Sequence, residues 1–547
     1  MNKKYVVLIL LIVVIINGCG IFSKSVKKNT SENQNDTLKY VNWLNKDFEI
    51  DKIPGVSTER AYQFLKDKKS VTVLVAVIDG GIDVKHEDLK NKIWVNDDIP
   101  GNNIDEDKNG FVDDVNGWNF LGNNKGEVIE FENIEDTRIY REFKDKYENI
   151  TIDKVPENEK SQFELYKIAE KTYKDQLKET TDNLENMQNF ISNYEAADLT
   201  IKNTLNKQTY TLKEVKDIKP ATDFVTNAKD YIIFVLEKEI EVGKIIEYKD
   251  HLKNMLEYNL NINWNPRSKI IGDNPSNNDM KIYGTSNVNF RADHGTFVAG
   301  VIGGERNNGI GMNGIANNVK IMSVVVVPDG DERDKDVSNG IHYAVDNGAK
   351  IINMSFGKTY SPQKFMVDEA VKYAENHGVL LVHASGNEAA NNDTVIGYPL
   401  KKYLDGTTNN RWISVGASSI ENNENLAGSF SNYGKTTVDL FAPGVSIYST
   451  SPGSIYKTED GTSFSSPVVT GVAALLMSYY PELSVDEIKT IILNSVTKFD
   501  NLSVNTPNES GDNIKKVPFS ELSVTGGIVN AYNAVLLAEK IMSEKKK

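Results

Sequence analysis

Runs of consecutive apolar residues alternate along much of the chain with segments in which apolar residues recur every three to four positions. The apolar runs are rich in β-branched residues and lie at 71–79, 319–327, 349–354 and 378–383. Such runs are typical of strands that are buried on both faces of a parallel sheet. The segments between them, such as 338–349 and 365–378, have the spacing of amphipathic helices. This alternation predicts an α/β fold with a doubly wound, mostly parallel sheet.

The region 127–279 differs from the rest of the chain because it is rich in lysine and glutamate. Apolar residues recur there with helical spacing, first at Tyr166, Tyr173, Leu177, Leu184, Met187, Ile191 and Tyr194, and then at Tyr231, Phe234, Val235, Ile245, Leu252, Met255 and Leu256. The two patterns predict two long helices that form an antiparallel pair. We interpret the aromatic and methionine side chains as the packing core of this pair and not as a cofactor site.

The N-terminus has the features of an export signal. Lys3 and Lys4 precede the apolar run 5–16, which is shorter than the roughly 20 residues that a membrane-spanning helix needs. The residues that end at Cys19 resemble a bacterial lipobox, in which the cysteine is lipidated and becomes the new N-terminus. An uncleaved anchor that ends in a chance cysteine is the alternative. Both interpretations place the protein outside the cytoplasm and on a membrane, and the polar stretch 20–42 is predicted to be a flexible tether.

Composition narrows the range of partners. The 547-residue chain is 25% charged and 39% hydrophobic, which is typical of a globular protein. Its formal net charge of −15 argues against nucleic acid as a main partner, because phosphate binding needs a basic surface. Cys19 is the only cysteine, so a disulfide framework is excluded.

Three polar residues stand at positions where parallel-sheet proteins place functional groups. Asp79 ends the first apolar run, and ligand sites in such sheets lie at the carboxyl ends of strands. His294 begins one predicted buried helix, and Ser463 begins another that has Pro467 in its first turn, where proline is tolerated. A serine becomes a nucleophile only when a base takes its proton and donors hold the oxyanion. A catalytic role for any one of the three residues therefore depends on the presence of the other two.

Each of these residues also has an ordinary structural explanation. Taken alone, Asp79 is explained as a turn carboxylate, and His294 and Ser463 as helix caps. Asn387 follows a further strand, and its side-chain amide can donate to an oxyanion beside Ser463. The order Asp, His, Asn, Ser, with each residue in the expected strand or helix context, is more specific than any one motif. In this order the chain resembles the subtilisin-like serine peptidase family.

The resemblance implies a role for each residue. Ser463 is expected to be the nucleophile, His294 the general base and then the acid, and Asp79 the carboxylate that stabilises the imidazolium. Asn387 and the backbone amide of Ser463 are expected to form the oxyanion hole. Substrate is expected to bind as an added strand beside Met354, Ser355, Phe356 and Gly357, with Ala384, Ser385 and Gly386 in the wall of the S1 pocket.

The resemblance covers roughly residues 43–120 and 283–539. The chain departs from the family pattern at Gly80, where a hydroxyl residue is commoner, and at Phe297, Phe464 and Ser465, but it keeps each catalytic group. The larger departure is the 215-residue separation of the predicted catalytic Asp and His, which is far shorter in compact members of the family.

The extra length between the Asp and the His is the helical region, which is predicted to be an inserted subdomain. The chain is predicted to contain a lipoprotein signal peptide (1–19), a tether (20–42), the first part of the catalytic domain (43–126), the helical insertion (127–279), the second part of the catalytic domain (280–540) and a charged tail (541–547). The insertion is interpreted as a lid, a substrate-selecting arm or a dimer surface, or as a solubilising decoration. The region before residue 43 is shorter than the family's usual folding propeptide, so we also hypothesise that the insertion partly replaces that chaperone.

A candidate calcium site precedes the insertion. Oxygen-bearing groups alternate there with the spacing of the first half of a calcium-binding loop, at Asp105, Asp107, Asn109, the carbonyl of Phe111, and Asp113. Asn116 stands where an EF-hand has its bidentate glutamate, so this is not an EF-hand helix pair. An acidic surface turn is the alternative. The family resemblance separately implies a structural calcium site at Asp88 and Asn308.

The family resemblance implies a serine endopeptidase that cleaves protein or peptide substrates through an acyl-enzyme, with structural calcium. The N-terminal segment adds that this enzyme is anchored by lipid in the cell envelope. Two other functions stay open. One is a dedicated processing peptidase for a single exported precursor, and the other is an inactive binding module with the same fold, which the intact triad disfavours. The other histidines are interpreted as surface or structural residues: His86, His251, His342, His377 and His383.

Overall fold

The computed structural model describes residues 40–278, 282–508 and 514–547. The predicted signal peptide, Cys19 and residues 20–39 of the predicted tether lie outside these ranges. The described residues form two compact units, a smaller one from Phe131 to Asn265 and a larger one made of the residues before and after it. Among the helices in the described ranges, none is long and apolar enough to cross a membrane.

The strands of the described ranges lie in the larger unit. They are β1 Val73–Asp79, β2 Gly117–Asn119, β3 Val319–Val325, β4 Ile351–Met354, β5 Leu380–Ala384, β6 Trp412–Ser418, β7 Leu440–Pro443, β8 Ile447–Ser451, β9 Ile455–Glu459, β10 Thr497–Lys498, β11 Ser503–Asn505, β12 Lys516–Pro518 and β13 Gly527–Ile528. Nine of them form one sheet in the order β10-β13-β7-β6-β5-β4-β1-β3-β2. Within this sheet the strand pairs are parallel except for β10 with β13. The pairs β8–β9 and β11–β12 form separate antiparallel hairpins.

Helices precede, form and follow the smaller unit. The first two are α1 Phe48–Asp51 and α2 Thr58–Leu65. The smaller unit contains α3 Glu135–Tyr147, α4 Lys160–Leu205, α5 Leu212–Asp217, α6 Asp223–Glu237 and α7 Val242–Asn254. After it come α8 Arg267–Ile270, α9 Asp293–Gly303, α10 Asp334–Asp346, α11 Lys364–Asn376, α12 Thr462–Tyr479, α13 Val485–Asn494 and α14 Ala531–Lys545. Short 3-10 helices lie at Trp43–Asn45, Ile152–Lys154, Glu157–Glu159 and Phe519–Glu521, and a π-helix lies at Met255–Asn259.

Both faces of the large sheet are covered by helices. Successive residues of a strand point to opposite faces, and in β1 the residues Val75 and Val77 lie in the core that includes side chains of α9, α12, α13 and α14. The alternate residues Ala76 and Ile78 lie in the core formed with α10 and α11. The predicted doubly wound α/β fold is therefore confirmed. The arrangement places the carboxyl ends of β1, β4 and β5 at one edge, where loops carry the candidate site.

The smaller unit is helical and is dominated by α4, which has 46 residues. Tyr166, Tyr173 and Met187 of α4 are buried, as expected for the packing core. The prediction of a second long helix is wrong, because the second apolar pattern is divided between α6 and α7. Glu239 lies between them with a φ of 52°, a left-handed conformation that an α-helix does not continue.

The compact smaller unit is shorter than the predicted insertion 127–279. Residues 127–130 and 266–278 belong instead to the larger unit. Arg267 explains the later boundary, because its buried guanidinium bonds to Asp273 and to Asp336 of α10, each at 2.7 Å. Lys335 adds a further ion pair with Asp273 at 2.8 Å. Buried charges need such partners, so this segment is fixed to α10.

Candidate active site

The end of β1 and the first turn of α9 bring Asp79 and His294 together. His294 Nδ1 lies 2.9 Å from both carboxylate oxygens of Asp79, although the two residues are 215 positions apart. The Asp79 side chain is buried and also accepts the N–H of Gly80 at 2.7 Å. Because a carboxylate accepts hydrogen bonds, Nδ1 of His294 carries a proton. In the neutral imidazole, Nε2 is then the unprotonated nitrogen and is available as a base.

A glycine allows this close approach of α9 to β1. A Cβ at Gly295 would lie 2.2 Å from the carbonyl oxygen of Gly81. Gly81 itself has a φ of 129°, which L side chains rarely adopt. Any larger residue at position 295 would push His294 away from Asp79.

The electrostatic surroundings of His294 make it a stronger base. Burial alone lowers its pKa, but the charge of Asp79 and the hydrogen bond to it, together with the charge of Asp293, raise the pKa above the ordinary value for histidine. Lys457 of β9 opposes this rise and forms an ion pair with Asp293 at 2.5 Å. The side chain of His294 is 40% exposed, so it stays accessible from outside the protein.

Ser463 is the second residue of α12 and lies beside the predicted substrate strand. Its Oγ donates to the carbonyl of Ser355 at 3.2 Å. Within the described ranges no hydrogen bond joins Ser463 to His294, although the ring of the next residue, Phe464, is 5.6 Å from the imidazole ring. The Phe464 ring also lies 4.2 Å from that of Phe297, so these two departures from the family pattern are in contact with each other.

The position of Pro467 differs from the prediction. It lies inside α12, in the second turn rather than the first. Proline has no N–H, so it cannot donate to the carbonyl four residues earlier, which is that of Ser463. The hydroxyl of Ser355 donates to this carbonyl instead, at 2.9 Å. A side chain from the neighbouring strand region therefore fills the gap in the bonding of α12.

The side chain of Asn387 is held in one orientation by the residue that precedes Ser463. Its Oδ1 accepts the backbone N–H of Thr462 at 2.9 Å and the Thr462 hydroxyl at 2.8 Å. The Thr462 hydroxyl in turn accepts the N–H of Gly386 at 3.2 Å. Because a backbone N–H can only donate, Oδ1 must face Thr462 and Nδ2 must face away. The amide is thus oriented as a donor, as an oxyanion hole requires.

The predicted substrate-binding residues differ in how open they are. Met354 ends β4 with its side chain fully buried, and Ser355 is buried as well, whereas Phe356 is half-buried and Gly357 is exposed. Met354 and Ser355 can therefore offer backbone groups, and Phe356 can also offer its ring.

The residues predicted for the pocket wall lie where β5 ends. Ala384 is the last residue of β5, and Ser385 donates its hydroxyl to the carbonyl of Asn432 at 3.1 Å. Gly386 has a φ of 107°, and a Cβ there would lie 2.3 Å from Nδ2 of Asn432. Only glycine fits at this position of the wall.

The structure changes the predicted calcium loop. Carboxylate oxygens of Asp98, Asp105 and Asp107 lie within 4.8 Å of one another. Burial and the neighbouring carboxylates of Asp105 and Asp98 raise the pKa of Asp107. Asp113, also predicted as a ligand, accepts the N–H groups of Gly101 and Asn103 with its carboxylate and is not part of this cluster of three.

Asn109, another predicted ligand of this loop, serves its internal structure. The Asn109 side chain accepts the N–H of Phe111 at 2.7 Å, and its amide nitrogen donates to Asp107 and Asp114, each at 3.0 Å. The Phe111 ring lies against Trp118 at 5.2 Å. Asn109 therefore supports the carboxylates by hydrogen bonds rather than by pointing its oxygen at them.

Asp88 and Asn308, for which the resemblance implies a calcium site, are in contact with each other. Asn308 Nδ2 lies 2.6 Å from Asp88 Oδ1. Asp88 is 1% exposed, and its Oδ2 makes no hydrogen bond of good geometry in the described part of the chain, although the Tyr456 hydroxyl lies close enough to lower the pKa of this carboxyl. Burial raises the pKa of Asp88. A buried carboxylate oxygen without a good hydrogen bond is costly unless a cation or a proton compensates it.

Three residues of the site were not predicted from the sequence. Thr462, which orients Asn387, lies directly before the predicted nucleophile, and this adjacency was an available signal. Asp98 precedes the calcium-loop pattern and is brought to it by folding, so the loop spacing does not indicate it. His383 is a buried structural residue that lies next to Ala384 and bonds to the predicted substrate strand, a position that no sequence motif indicates.

Comparison with known proteins gives both a family match and individual relatives. A family model described as the subtilase family matches residues 70–511. Subtilisin DY of Bacillus licheniformis is 35% identical over 231 residues, which is 41% of this chain and 79% of the relative. Subtilisin BL of Lederbergia lenta is 38% identical over 205 residues, which is 37% of this chain and 70% of the relative.

Two further matches are a second peptidase relative and a solved structure. Alkaline elastase YaB of Bacillus sp. (strain YaB) is 37% identical over 219 residues, 40% of this chain and 53% of the relative. Among solved structures, a protease chain from Pseudoalteromonas arctica is 28% identical, and the match covers 45% of this chain and 70% of that one. Its TM-score is 0.36.

Proposed function

Because the chain belongs to the subtilase family of serine endopeptidases, we propose that it cleaves protein or peptide substrates through an acyl-enzyme on Ser463. The observation that carries the proposal is the 2.9 Å hydrogen bond from His294 Nδ1 to the buried carboxylate of Asp79. That bond leaves Nε2 as the base. Placing the serine and the base in one site is supported by the ring of the next residue, Phe464, which lies 5.6 Å from the imidazole ring.

Acylation requires the Ser463 hydroxyl to leave the carbonyl of Ser355 and to turn towards His294. Nε2 takes the hydroxyl proton while Oγ forms a bond to the carbonyl carbon of the substrate, whose oxygen becomes an oxyanion. The imidazolium keeps its Nδ1 hydrogen bond to Asp79, which stabilises the positive charge. When the C–N bond breaks, Nε2–H gives its proton to the leaving amine and the acyl group stays on Ser463.

Asn387 stabilises the oxyanion in this mechanism. Its Oδ1 is engaged by Thr462, so Nδ2 is the atom that donates to the developing negative charge. The backbone N–H of Ser463, at the N-terminus of α12, is the second donor, since the first amides of a helix have no intrahelical acceptor. A donor fixed before the reaction begins does not have to reorganise in the transition state.

Deacylation repeats these proton transfers with water in place of the amine. His294 Nε2 takes a proton from water, and the water oxygen bonds to the acyl carbon. Ser463 then leaves as the C–O bond of the ester breaks and recovers its proton from the imidazolium. The products are a free carboxylic acid, the released amine and the regenerated enzyme.

The proposal includes export and attachment to a membrane through lipid on Cys19. Its support is the basic n-region, the short apolar run 5–16 and the cysteine that follows. Mass spectrometry of the full chain from a bacterial host tests it. A mass increase of acyl groups, absent in Cys19→Ala, is the expected result, and an unmodified Cys19 on a chain that keeps its apolar run would contradict it.

We also propose that calcium binds the protein as a structural cofactor. Asp88 and Asn308 would hold one ion, since Asp88 Oδ2 is buried and makes no hydrogen bond of good geometry in the described residues. Asp98, Asp105 and Asp107 would hold another, because hard carboxylate oxygens at this mutual distance suit calcium. The ion would supply positive charge that keeps clustered carboxylates ionised and their loops in place.

Labelling with a fluorophosphonate, which phosphonylates activated serines, tests the catalytic proposal. The purified full chain and its Ser463→Ala variant are treated alike and measured by intact mass. One adduct on the wild type and none on the variant is the expected result. Equal labelling of both proteins, or no labelling of a folded wild type supplied with calcium, would contradict the proposal. Ser465→Ala, a neighbouring buried hydroxyl that donates to Ala442, is the matched control and should label like the wild type.

A further inference from the structure

His383 is a buried histidine that the mechanism does not use. It lies in β5 directly before Ala384 and is 9% exposed. The parallel pairing of β4 with β5 ends at Met354 and His383. Beyond this pair the chain from β4 continues as Ser355, Phe356 and Gly357, the segment proposed to hold substrate. His383 therefore stands where that segment leaves the sheet.

The side chain of His383 replaces the backbone hydrogen bonding that ends there. Its Nε2 lies 2.9 Å from the carbonyl oxygen of Phe356. A carbonyl oxygen can only accept, so Nε2 carries the proton. Burial lowers the pKa of His383 to about 4, which keeps the ring neutral. The ring also lies 5.2 Å from that of Trp412, which is itself buried on β6 and limits how the imidazole can turn.

Carbonyls of an extended segment alternate between its two sides. The Ser355 carbonyl accepts from Ser463 Oγ at 3.2 Å and so faces the nucleophile. The Phe356 carbonyl points the other way, to His383. The hydrogen bond from His383 thus holds the side of the segment opposite the nucleophile, and it leaves the Ser355 side for substrate.

We propose that His383 is a positioning residue that joins the two walls of the substrate cleft, the segment Ser355–Gly357 and the turn that begins at Ala384. This inference rests on the proposed endopeptidase function. By fixing the Phe356 carbonyl, His383 sets the position of the backbone groups that an extended peptide would pair with. A small reagent that reacts only with Ser463 does not depend on that pairing.

Two substitutions separate the hydrogen bond from the bulk of the ring. His383→Phe keeps an aromatic ring against Trp412 but has no donor. His383→Gln has a terminal amide N–H near the position of Nε2 and should restore the bond. His377→Phe is the matched control, because His377 is exposed and follows the end of α11.

The measurements are kcat and KM on peptides of four or more residues, and the rate of fluorophosphonate labelling, each beside the thermal unfolding midpoint. For His383→Phe we expect a fall of about tenfold in kcat/KM on the peptides, mainly through KM. Its labelling rate should change by less than about twofold. His383→Gln and His377→Phe should stay within about threefold of the wild type in both assays.

Each outcome bears on one claim. Equal peptide kinetics for His383→Phe and the wild type would overturn the role of His383 while leaving the proposed function in place. A fall in the labelling rate of His383→Phe as large as its fall in peptide cleavage would show a general structural role and would also overturn the positioning role. Failure of a folded His383→Gln to restore the peptide kinetics would overturn that role as well. A wild type that neither labels nor cleaves would defeat the proposed function, and with it this inference.

Discussion

Ser355 and Ser463 exchange two hydrogen bonds. Ser463 Oγ donates to the carbonyl of Ser355 at 3.2 Å, and Ser355 Oγ donates to the carbonyl of Ser463 at 2.9 Å. The Ser355 hydroxyl also accepts from Asn353 Nδ2 at 2.9 Å and lies 2.8 Å from Ser466 Oγ. Since its single proton goes to Ser463, Ser466 is the donor to it. The segment beside the cleft and the start of α12 are therefore linked through one buried hydroxyl.

The first prediction concerns this hydroxyl. Ser355→Ala leaves the Ser463 carbonyl without a donor, because Pro467 has no N–H to offer. We expect a loss of about 1–3 kcal/mol in the free energy of unfolding, together with slower labelling of Ser463. Denaturant unfolding and fluorophosphonate labelling measure the two effects.

A second substitution supplies the missing donor. Pro467→Ala restores an N–H that can reach the Ser463 carbonyl within α12. In a protein that carries Pro467→Ala, Ser355→Ala should lower the free energy of unfolding clearly less than it does in the wild type. A double-mutant cycle should therefore give a coupling energy of about 1 kcal/mol. Additive losses would show that the Ser355 hydroxyl does not stand in for the Pro467 N–H.

The second prediction concerns the oxyanion donor. Asn387→Ala should lower kcat about 10²- to 10³-fold, with a much smaller change in KM, because the donor acts on charge that develops only in the transition state. Thr462→Val, which loses the hydroxyl but keeps the backbone N–H that holds Asn387 Oδ1, should lower kcat by less than about tenfold. Steady-state kinetics on one peptide substrate compare them. A loss in Thr462→Val as large as in Asn387→Ala would contradict this orientation mechanism.

The centre of the sheet, β1, β3, β4 and β5, could be predicted from the sequence because these strands lie in continuous apolar runs, whereas short strands such as β2 and β7 have no such run. Asp79 and His294 were predicted because each stands at the boundary of an element, at the end of β1 or the start of α9. These signals lie within single segments, so they can be recognised in the sequence without knowledge of the fold. The break between α6 and α7 was missed because the gap between Val235 and Ile245 in the apolar pattern was included in one helix, and Glu239 with its left-handed backbone lies in that gap.

The parts that were missed depend on contacts between distant segments. Asp98 joins the calcium loop through folding, and Asp113 turns to the N–H groups of Gly101 and Asn103 although its spacing fits a ligand. His383 carries no motif, and its partner at Phe356 is set by where β4 leaves the sheet. The role of His383 follows from strand register, and those of Asp98 and Asp113 follow from how their loop folds back on itself; the spacing of residues in one segment determines neither.

The third prediction concerns pH. His294 must be neutral to act as a base, and its pKa is raised through the charge of Asp79 and the hydrogen bond to it, against the effect of burial. Activity should therefore rise with pH through this raised pKa. Asp79→Asn should move that pKa downward and lower kcat by about 10⁴-fold. The pH profile of kcat/KM on a peptide measures the pKa of the free enzyme.

Stability should change in the opposite sense to activity. A group whose pKa is higher in the folded state stabilises the fold at pH values below its unfolded pKa, about 6.5 for histidine. That contribution is lost as pH rises through the folded pKa. The stability difference between wild type and Asp79→Asn should therefore shrink from pH 6 to pH 9 in denaturant unfolding. Asp293→Asn, which removes a lesser contribution, should lower the His294 pKa by a smaller amount, and an equal shift in both variants would contradict the assignment.

The last prediction concerns calcium. Chelation of calcium from the full chain should lower the thermal unfolding midpoint by several degrees, because an ion that binds only the folded state stabilises it by about 2.7 kcal/mol at one hundred times its dissociation constant. Titration calorimetry should then detect two sites in the wild type. Asp88→Asn should remove one of them and Asp98→Asn the other.

Asp113→Asn is the control for the loop site. The loop spacing predicts Asp113 as a ligand, whereas in the folded structure its carboxylate accepts hydrogen bonds from backbone N–H groups. If Asp113→Asn keeps both calcium sites, the result supports Asp98, Asp105 and Asp107 as the ligands of the loop site. If Asp113→Asn loses the loop site while Asp98→Asn keeps it, the result contradicts that ligand set and favours the ligands predicted from the loop spacing.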